Sequence, residues 1–287
     1  MVVKTKPVGL YELIGGAKNG ETNLKVIEDF LARNILEPEI QERLSAWKSE
    51  FEFWEKNAVI YPYMELGFHY RSLVKTMREF AEPKAGQVWL DAGCGPAKMS
   101  ELLWEKSGKS LKKIVGLDII LEPARKRAEE ISVLELKYGN LGERLEFDDG
   151  TFDGIISNIA IPYVIEFEGC RGKEGMQSIF KELARVLKPG GQLVWSAPKR
   201  NMHTEICLLV SIPDVIWNIA KIPNLPVIAL KLLKYGKELE RKGKEGIYTY
   251  LAPQEWDEIL EEAGFVSPAW RFVFTHQVWV NKTLLGP

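Results

Sequence analysis

A doubly wound α/β domain with a mostly parallel sheet is what the sequence predicts, on three observations. From Gln87 onward, short apolar runs alternate with helical stretches, the pattern of parallel strands covered on both faces. The first run ends in glycines and enters a helix, as strand-to-helix turns do at the carboxyl edge of open α/β sheets. The last two runs, FVSPAWRFVF and HQVWVNK, lie so close together that they predict an antiparallel edge. Two additions complete the expected layout. A helical cap covers residues 1–85, and the domain proper runs over 86–287, with a helical insert at 199–246 between its fifth and sixth strands.

In order along the chain, Leu24, Ile27, Phe30 and Leu31 repeat at helical spacing, Pro38 opens a second helix, and a third runs from Tyr63 to Phe80. These helices are short, and their apolar positions need a surface to bury against. Strand one is QVWLDAG, with a helix near Ala97–Lys106; strand two is KKIVGLD, with a helix near Glu122–Leu134. ELKYGN is the third strand and FDGIISNI the fourth. A helix near Glu174–Leu187 follows, with Met176, Ile179, Phe180, Leu183, Val186 and Leu187 on one face, and Lys188-Pro189-Gly190-Gly191 stop it. QLVWSAP is the fifth strand, and Pro253–Ala263 is the helix before the closing pair.

With 287 residues, 46% of them hydrophobic, the chain has ample material for one sizeable core. Its 38 basic and 40 acidic residues argue against a globally basic nucleic-acid binder, so no specific nucleic-acid partner is expected. The charge is uneven: residues 199–246 hold nine basic and five acidic side chains, +4, which leaves −6 on the rest of the −2 chain. Cys94, Cys170 and Cys207 lie far apart with no C-x-x-C, so neither a zinc knuckle nor a disulfide framework is expected. The amino-terminal MVVKTKPVGLYELIGG lacks the apolar core of a signal peptide, so a cytoplasmic chain is the expectation. The most apolar stretch, Ile206–Leu230, is broken by Asp214, Lys221 and three prolines and is too interrupted to cross a bilayer.

The chemistry concentrates at the tips of the first two strands. In Leu90-Asp91-Ala92-Gly93-Cys94-Gly95-Pro96-Ala97 the glycines let a ligand approach the backbone. The sixth position counted from Gly93 is Lys98, so the G-x-G-x-x-G dinucleotide fingerprint fails, and there is no phosphate loop. Asp91, just before the turn, repels a pyrophosphate but suits a cationic or amine-bearing ligand. Asp118, at the end of VGLD, can take two hydrogen bonds from a ribose diol. A nucleoside with a positively charged, amino-acid-like portion satisfies both acids.

These segments resemble the class I S-adenosylmethionine-dependent methyltransferases. LDAGCGPA is similar to the family's first motif, with Asp91, Gly93 and Gly95 at its acid and glycines and Ala97 in place of its third glycine. VGLDI is similar to the second, which puts Asp118 at the ribose with Ile119 beside it. YGNL and TFDGIISNIAI resemble the region around the adenine, with Asn140 and Leu141 near the base and Ser157 and Asn158 near the methionine portion. LKPGGQLVWSAP resembles the turn into the family's fifth strand. The resemblance covers about residues 86–198 and implies a Rossmann-like seven-stranded sheet, S-adenosylmethionine as cofactor and S-adenosylhomocysteine as product. The N-P-P-Y signature of amide and amine methylators is absent, since Asn158 and Tyr163 stand too far apart in NIAIPY.

For the acceptor side, Tyr163 and Glu166 follow the fourth strand, and His203 follows the fifth, where it could serve as a base. Tyr61, Tyr63 and Arg71 of the cap could close over the methionine carboxylate, Trp195 could line the acceptor pocket, and Trp217 belongs to the insert. His69 reads as a packing or surface residue, His276 as structural, and Cys94 as a small turn residue rather than a nucleophile. The insert has three readings: a lid over an apolar acceptor pocket, a surface on anionic membrane, or a core-completing or interface element. The expectation is methyl transfer to a small or lipophilic acceptor. A methyltransferase acting on RNA or protein through the Lys199–Lys244 positive patch, and a non-catalytic cofactor-binding scaffold, are the rivals.

Overall fold

The computed structural model describes residues 23–34, 36–273 and 277–287. His276 and the segment on which the signal-peptide expectation rests lie outside them. The described helices before the sheet are α1 (Asn23–Arg33), α2 (Pro38–Ala58), the single turn α3 (Tyr61–Met64) and α4 (Phe68–Phe80). The alternating part follows as β1 (Val88–Ala92), α5 (Lys98–Lys106), β2 (Lys113–Asp118), α6 (Arg125–Glu130), β3 (Leu134–Tyr138), β4 (Phe152–Ser157), α7 (Gly172–Val186) and β5 (Leu187–Pro198). The insert forms α8 (Thr204–Asn218) and α9 (Leu225–Lys244), and the chain closes with α10 (Pro253–Glu262), β6 (Phe265–Val273) and β7 (Val278–Leu285).

The seven strands lie in the order β3-β2-β1-β4-β5-β7-β6. All neighbours are parallel except β7, which runs antiparallel to both β5 and β6. The antiparallel strand thus sits one place in from the edge. The strand order reverses between β1 and β4, the switch point at which open α/β sheets bind ligands. Because β1 lies inside the sheet and is covered on both faces, it is apolar through Val88, Trp89 and Leu90 before it reaches Asp91; Leu90 lies between Val115 and Ile155, and Asp91 between Gly116 and Ile156.

One face of the sheet buries Trp195, Phe180, Trp256 and Phe265 against α7 and α10, with ring centroids 4.9 Å apart for Phe180–Trp195 and 5.0 Å for Trp195–Trp256. The other buries Leu73 and Met77 of α4 and Leu102 and Leu103 of α5 against Trp89 and Val280. The predicted third helix therefore splits at Gly67, and its longer part, α4, belongs to the layers of the sheet. The helix expected near Glu122–Leu134 is shorter, a 3₁₀ turn at Glu122–Ala124 and then α6, because Leu134 is already the first residue of β3. The cap proper packs Leu44, Trp47 and Phe51 on Tyr163, Leu239, Tyr248 and Tyr250.

Candidate active site

The turn after β1 is built by backbone hydrogen bonds to the tip of β2. The N–H groups of Gly93 and Cys94 both donate to the Leu117 carbonyl, at 2.8 and 3.0 Å. Gly93 has φ +72°, and a Cβ there would stand 2.3 Å from that of Ala160, so only glycine fits. The Gly95 N–H donates to Asp118 Oδ2 at 2.8 Å and that of Ile120 to Asp118 Oδ1 at 2.9 Å. Each carboxylate oxygen keeps a lone pair for a further donor.

Asp91 reaches forward to the start of α5. Its Oδ2 accepts from the Ser100 N–H at 2.9 Å and the Ser100 hydroxyl at 2.7 Å, satisfying an otherwise orphan donor of the helix. Its Oδ1 is buried with no hydrogen-bond partner. Burial pushes this carboxyl up to about 7, against the lowering effect of the Ser100 bonds. Burial raises Asp118 as well, opposed by the Gly95 and Ile120 N–H groups. The two acids therefore demand a donor or a cation. Cys94 is buried and its thiol pushed well up, so it has no thiolate character.

Asn140 uses Oδ1 to accept the Gly142 N–H at 2.8 Å, while its Nδ2 is buried without a partner. Asn158 donates to the Tyr70 hydroxyl at 3.2 Å and accepts from the Ser196 hydroxyl at 3.0 Å. Asp91, Gly93, Gly95, Asp118, Ile119, Asn140, Leu141 and Asn158 all line one cavity of about 290 Å³. Ser157 is not among its walls, because its hydroxyl points along the sheet to the Ala92 carbonyl at 2.8 Å.

The cavity continues away from the sheet between the cap and the insert. There its walls are Trp54, Tyr61, Tyr63 and Tyr163, joined by Leu208, Val215, Ala229, Leu232, Leu233 and Tyr235 of α8 and α9. The Trp54 ring lies 5.3 Å from that of Tyr163 and 6.3 Å from that of Tyr235. Burial raises the Tyr163 phenol far above its ordinary range, so it stands neutral and can donate a hydrogen bond but not act as a phenolate base. A buried polar group closes the far side. Lys242 Nζ and the Tyr248 hydroxyl donate to the two oxygens of Glu50, each at 2.6 Å, and Lys242 also stands over the Phe53 ring at 4.1 Å.

Five acceptor-side candidates lie off the cavity. His203 is half exposed and pairs with Glu205 at 3.4 Å. Glu166 is buried under the cap, where Arg43 binds it at 2.6 Å and the Trp47 indole donates to it at 3.1 Å. Trp195 points to the opposite face of β5, into the aromatic core, with its indole N–H on Asn281. Trp217 is 81% exposed on the outside of α8. Arg71 also faces outward, but it binds Asp214 of the cavity wall at 2.8 Å, and the Phe68 N–H at the start of α4 donates to the same carboxylate at 2.8 Å. Arg71 is thus a latch between insert and sheet layer.

His69, which reads in the sequence as a packing or surface residue, faces the cavity. Its Nδ1 lies 2.7 Å from the Ser211 hydroxyl of α8. Burial lowers its pKa to about 4, more strongly than the Asp214 carboxylate raises it, so the imidazole is neutral at physiological pH. Nothing in FHYRSL distinguishes it; its position depends on the insert folding back onto α4.

Residues 90–195 match the family described as "Methyltransferase domain". Over 123 residues the chain is 37% identical to the demethylmenaquinone methyltransferase of Bacillus licheniformis, and over 125 residues 38% identical to that of Bacillus subtilis. Each match takes in 42% of this chain and 48% of the relative, so the similarity spans about half the length of these relatives. Among solved structures, a chain of the Haloferax volcanii complex between the Trm112 methyltransferase activator and a methyltransferase superposes with a TM-score of 0.58. It is 16% identical and covers 83% of this chain and 98% of that one. A SAM-dependent methyltransferase from Thermotoga maritima gives 0.51 at 16% identity, covering 82% of this chain and 99% of that one. These likenesses carry the fold, and the family match is confined to residues 90–195, which are similar to a methyltransferase domain.

Proposed function

We propose that the protein transfers a methyl group from S-adenosylmethionine to a small lipophilic acceptor. One observation carries this reading: a single cavity has acids and a glycine turn at its sheet end and an apolar, aromatic chamber at the other. The sheet end fits the cofactor on its own chemistry. The unpartnered Asp91 Oδ1 suits a cationic amine, Asp118 a ribose diol, and the unpartnered Asn140 Nδ2 the acceptor edge of a base flanked by Ile119 and Leu141. Gly93 and Gly95 leave room for the ligand against the backbone.

When bound, the cofactor supplies a methyl group already activated on a sulfonium. The work left to the chain is positioning an acceptor in line and excluding water. Tyr163, Trp54 and Tyr235 provide flat apolar walls for a ring, and the neutral Tyr163 hydroxyl can orient an acceptor oxygen. His69 presents a neutral imidazole to the cavity wall, with Ser211 among its partners. The Bacillus relatives are named for demethylmenaquinone, a lipophilic acceptor. The cap and insert that wall the chamber lie outside the matched domain, so the acceptor class rests on the chamber itself. An RNA or protein acceptor would meet fewer free charges than the sequence count suggests: Lys237 is engaged with Glu205 and Glu240, Arg241 with Glu238 and Glu245, and Lys242 with Glu50, while Lys221, Lys231 and Lys234 stay exposed.

Calorimetric titration with S-adenosylmethionine, S-adenosylhomocysteine and NAD tests the cofactor half. Binding of both adenosyl ligands without NAD supports it, and no adenosyl binding overturns it. Transfer of a labelled methyl group to lipophilic phenols or hydroquinones, and not to RNA, tests the acceptor half.

A further inference from the structure

Helix α8 is turned inside out. Its outward face, at Ile206, Leu209, Val210, Ile212, Pro213, Ile216 and Trp217, is apolar, with Leu209, Ile216 and Trp217 62%, 67% and 81% exposed. Leu208 and Val215 face the protein, and three polar side chains are turned away from water with them. Ser211 meets His69, Asp214 meets Arg71 and the Phe68 N–H, and Asn218 bonds back to the Asp214 carbonyl. A helix beside water arranges these the other way. The stripe continues onto α9, where Val227, Leu230, Lys231 and Lys234 recur at i, i+3, i+4 and i+7 and are all exposed.

The charge on this surface has one sign. Lys221, between the helices, and Lys231 and Lys234 are exposed and form no ion pair among the described residues. The two acids of the same stretch, Glu205 and Asp214, are taken by Lys237 and Arg71. Apolar side chains bordered by unneutralised lysines complement a lipid surface with anionic headgroups, the lysine stems lying along the acyl boundary while their ammonium groups reach the phosphates. Among the described residues no helix is long and apolar enough to cross a membrane, so contact through this face is peripheral.

We propose that the outward face of α8 and the first half of α9 lies on an anionic lipid bilayer. The inner sides of the same two helices, at Leu208, Val215, Leu232 and Leu233, wall the acceptor chamber. The insert therefore separates the chamber from the bilayer by the thickness of one helix layer, and a lipid-soluble acceptor reaches the chamber without crossing water. This delivery role rests on the proposed methyl transfer; the surface itself does not.

The test is flotation of the full chain with vesicles of phosphatidylcholine alone and of equal parts phosphatidylcholine and phosphatidylglycerol, at low and high salt. The expected result is binding to the anionic vesicles at least about tenfold tighter than to neutral ones, weakened by salt. The double variant I216E/W217E should lose binding to both, and K221Q/K231Q/K234Q should lose about fivefold per lysine on anionic vesicles only. Calorimetry with S-adenosylmethionine should give wild-type affinity for both variants, which separates a failed surface from a failed fold or a failed cofactor reading. Absence of vesicle binding, or binding that survives I216E/W217E, overturns the proposal. So does a concentration-dependent dimer in sedimentation that I216E/W217E dissociates, because the face would then be covered by a second copy.

Discussion

The two ends of the cavity are held in different ways. At the sheet end, backbone groups do the holding: the Gly93, Cys94, Gly95, Ile120 and Ser100 N–H groups fix the turn and both acids. At the chamber end, side chains from α2, α4, α8 and α9 meet through apolar contact and a few polar links: Asp214 with α4, His69 with Ser211, Lys242 and Tyr248 with Glu50. A site held by backbone bonds inside a sheet opens only with the sheet. One held by side-chain latches on an insert can open locally, at far smaller cost. The difference matches the division of labour proposed here, an invariant cofactor and an acceptor that must get in.

The comparison can be broken most severely at Glu50. Glu50→Ala leaves the Lys242 ammonium buried without its carboxylate, and a loss of about 3–5 kcal/mol of stability is expected, read by thermal or denaturant unfolding. A change under about 1 kcal/mol would mean that the cluster is not a structural tie. Next comes Asp118→Ala, which removes two charge-assisted hydrogen bonds to the proposed ribose. S-adenosylmethionine affinity should fall about 100-fold by calorimetry. An unchanged affinity would show that the ribose sits elsewhere.

The pH dependence of the sheet end follows from Asp91. Its carboxyl is raised to about 7 in the free protein, and an amine beside Oδ1 favours the charged form. Cofactor affinity should therefore be full above about pH 7 and weaken as pH falls through 7, by up to about tenfold per unit, with a proton released on binding near neutrality. For the free protein the sign reverses: a raised carboxyl contributes stability that is present below its unfolded value and lost as pH rises through about 7. A pH-flat calorimetric profile with no proton release would place the amine away from Asp91. The smallest effect belongs to the latch. Arg71→Ala breaks a half-exposed pair worth about 0.2–1 kcal/mol, so KM for the acceptor should shift no more than about fivefold while cofactor affinity holds.

Much of the sheet end is legible in the sequence because strand, turn and acid follow one another within a few residues. LDAGCGPA places Asp91 and both glycines by local order alone, and Asp118 follows from the end of the next strand. The chamber is different, since it is assembled from residues far apart: Trp54, His69, Tyr163, Ser211 and Tyr235 meet only after the insert folds back. Four of the candidates lie off the cavity for a nameable reason. Trp195 and Ser157 sit at the right height on their strands, but the alternation of side chains turns Trp195 to the core, and the Ser157 hydroxyl is spent on the Ala92 carbonyl of β1. Arg71 and Trp217 lie on helices whose rotation the sequence leaves open. For α8 it also misleads, because the usual rule that apolar faces turn inward is the one this helix breaks.

The aromatic walls of the chamber have an optical consequence. Trp54 stands within 5.3–6.4 Å of the rings of Tyr61, Tyr163, Tyr235 and Tyr248 at the place where an acceptor would lie. Ring stacking with a conjugated guest would quench this indole and can reach Trp47 of the same wall, whereas Trp89, Trp195 and Trp256 lie buried in the sheet cores, out of stacking reach. The chamber thus carries its own emitter. Loading of an acceptor can be followed in the unlabelled protein, and a Trp54→Phe chain, which keeps the other eight of the nine tryptophans, gives by difference the part that belongs to Trp54.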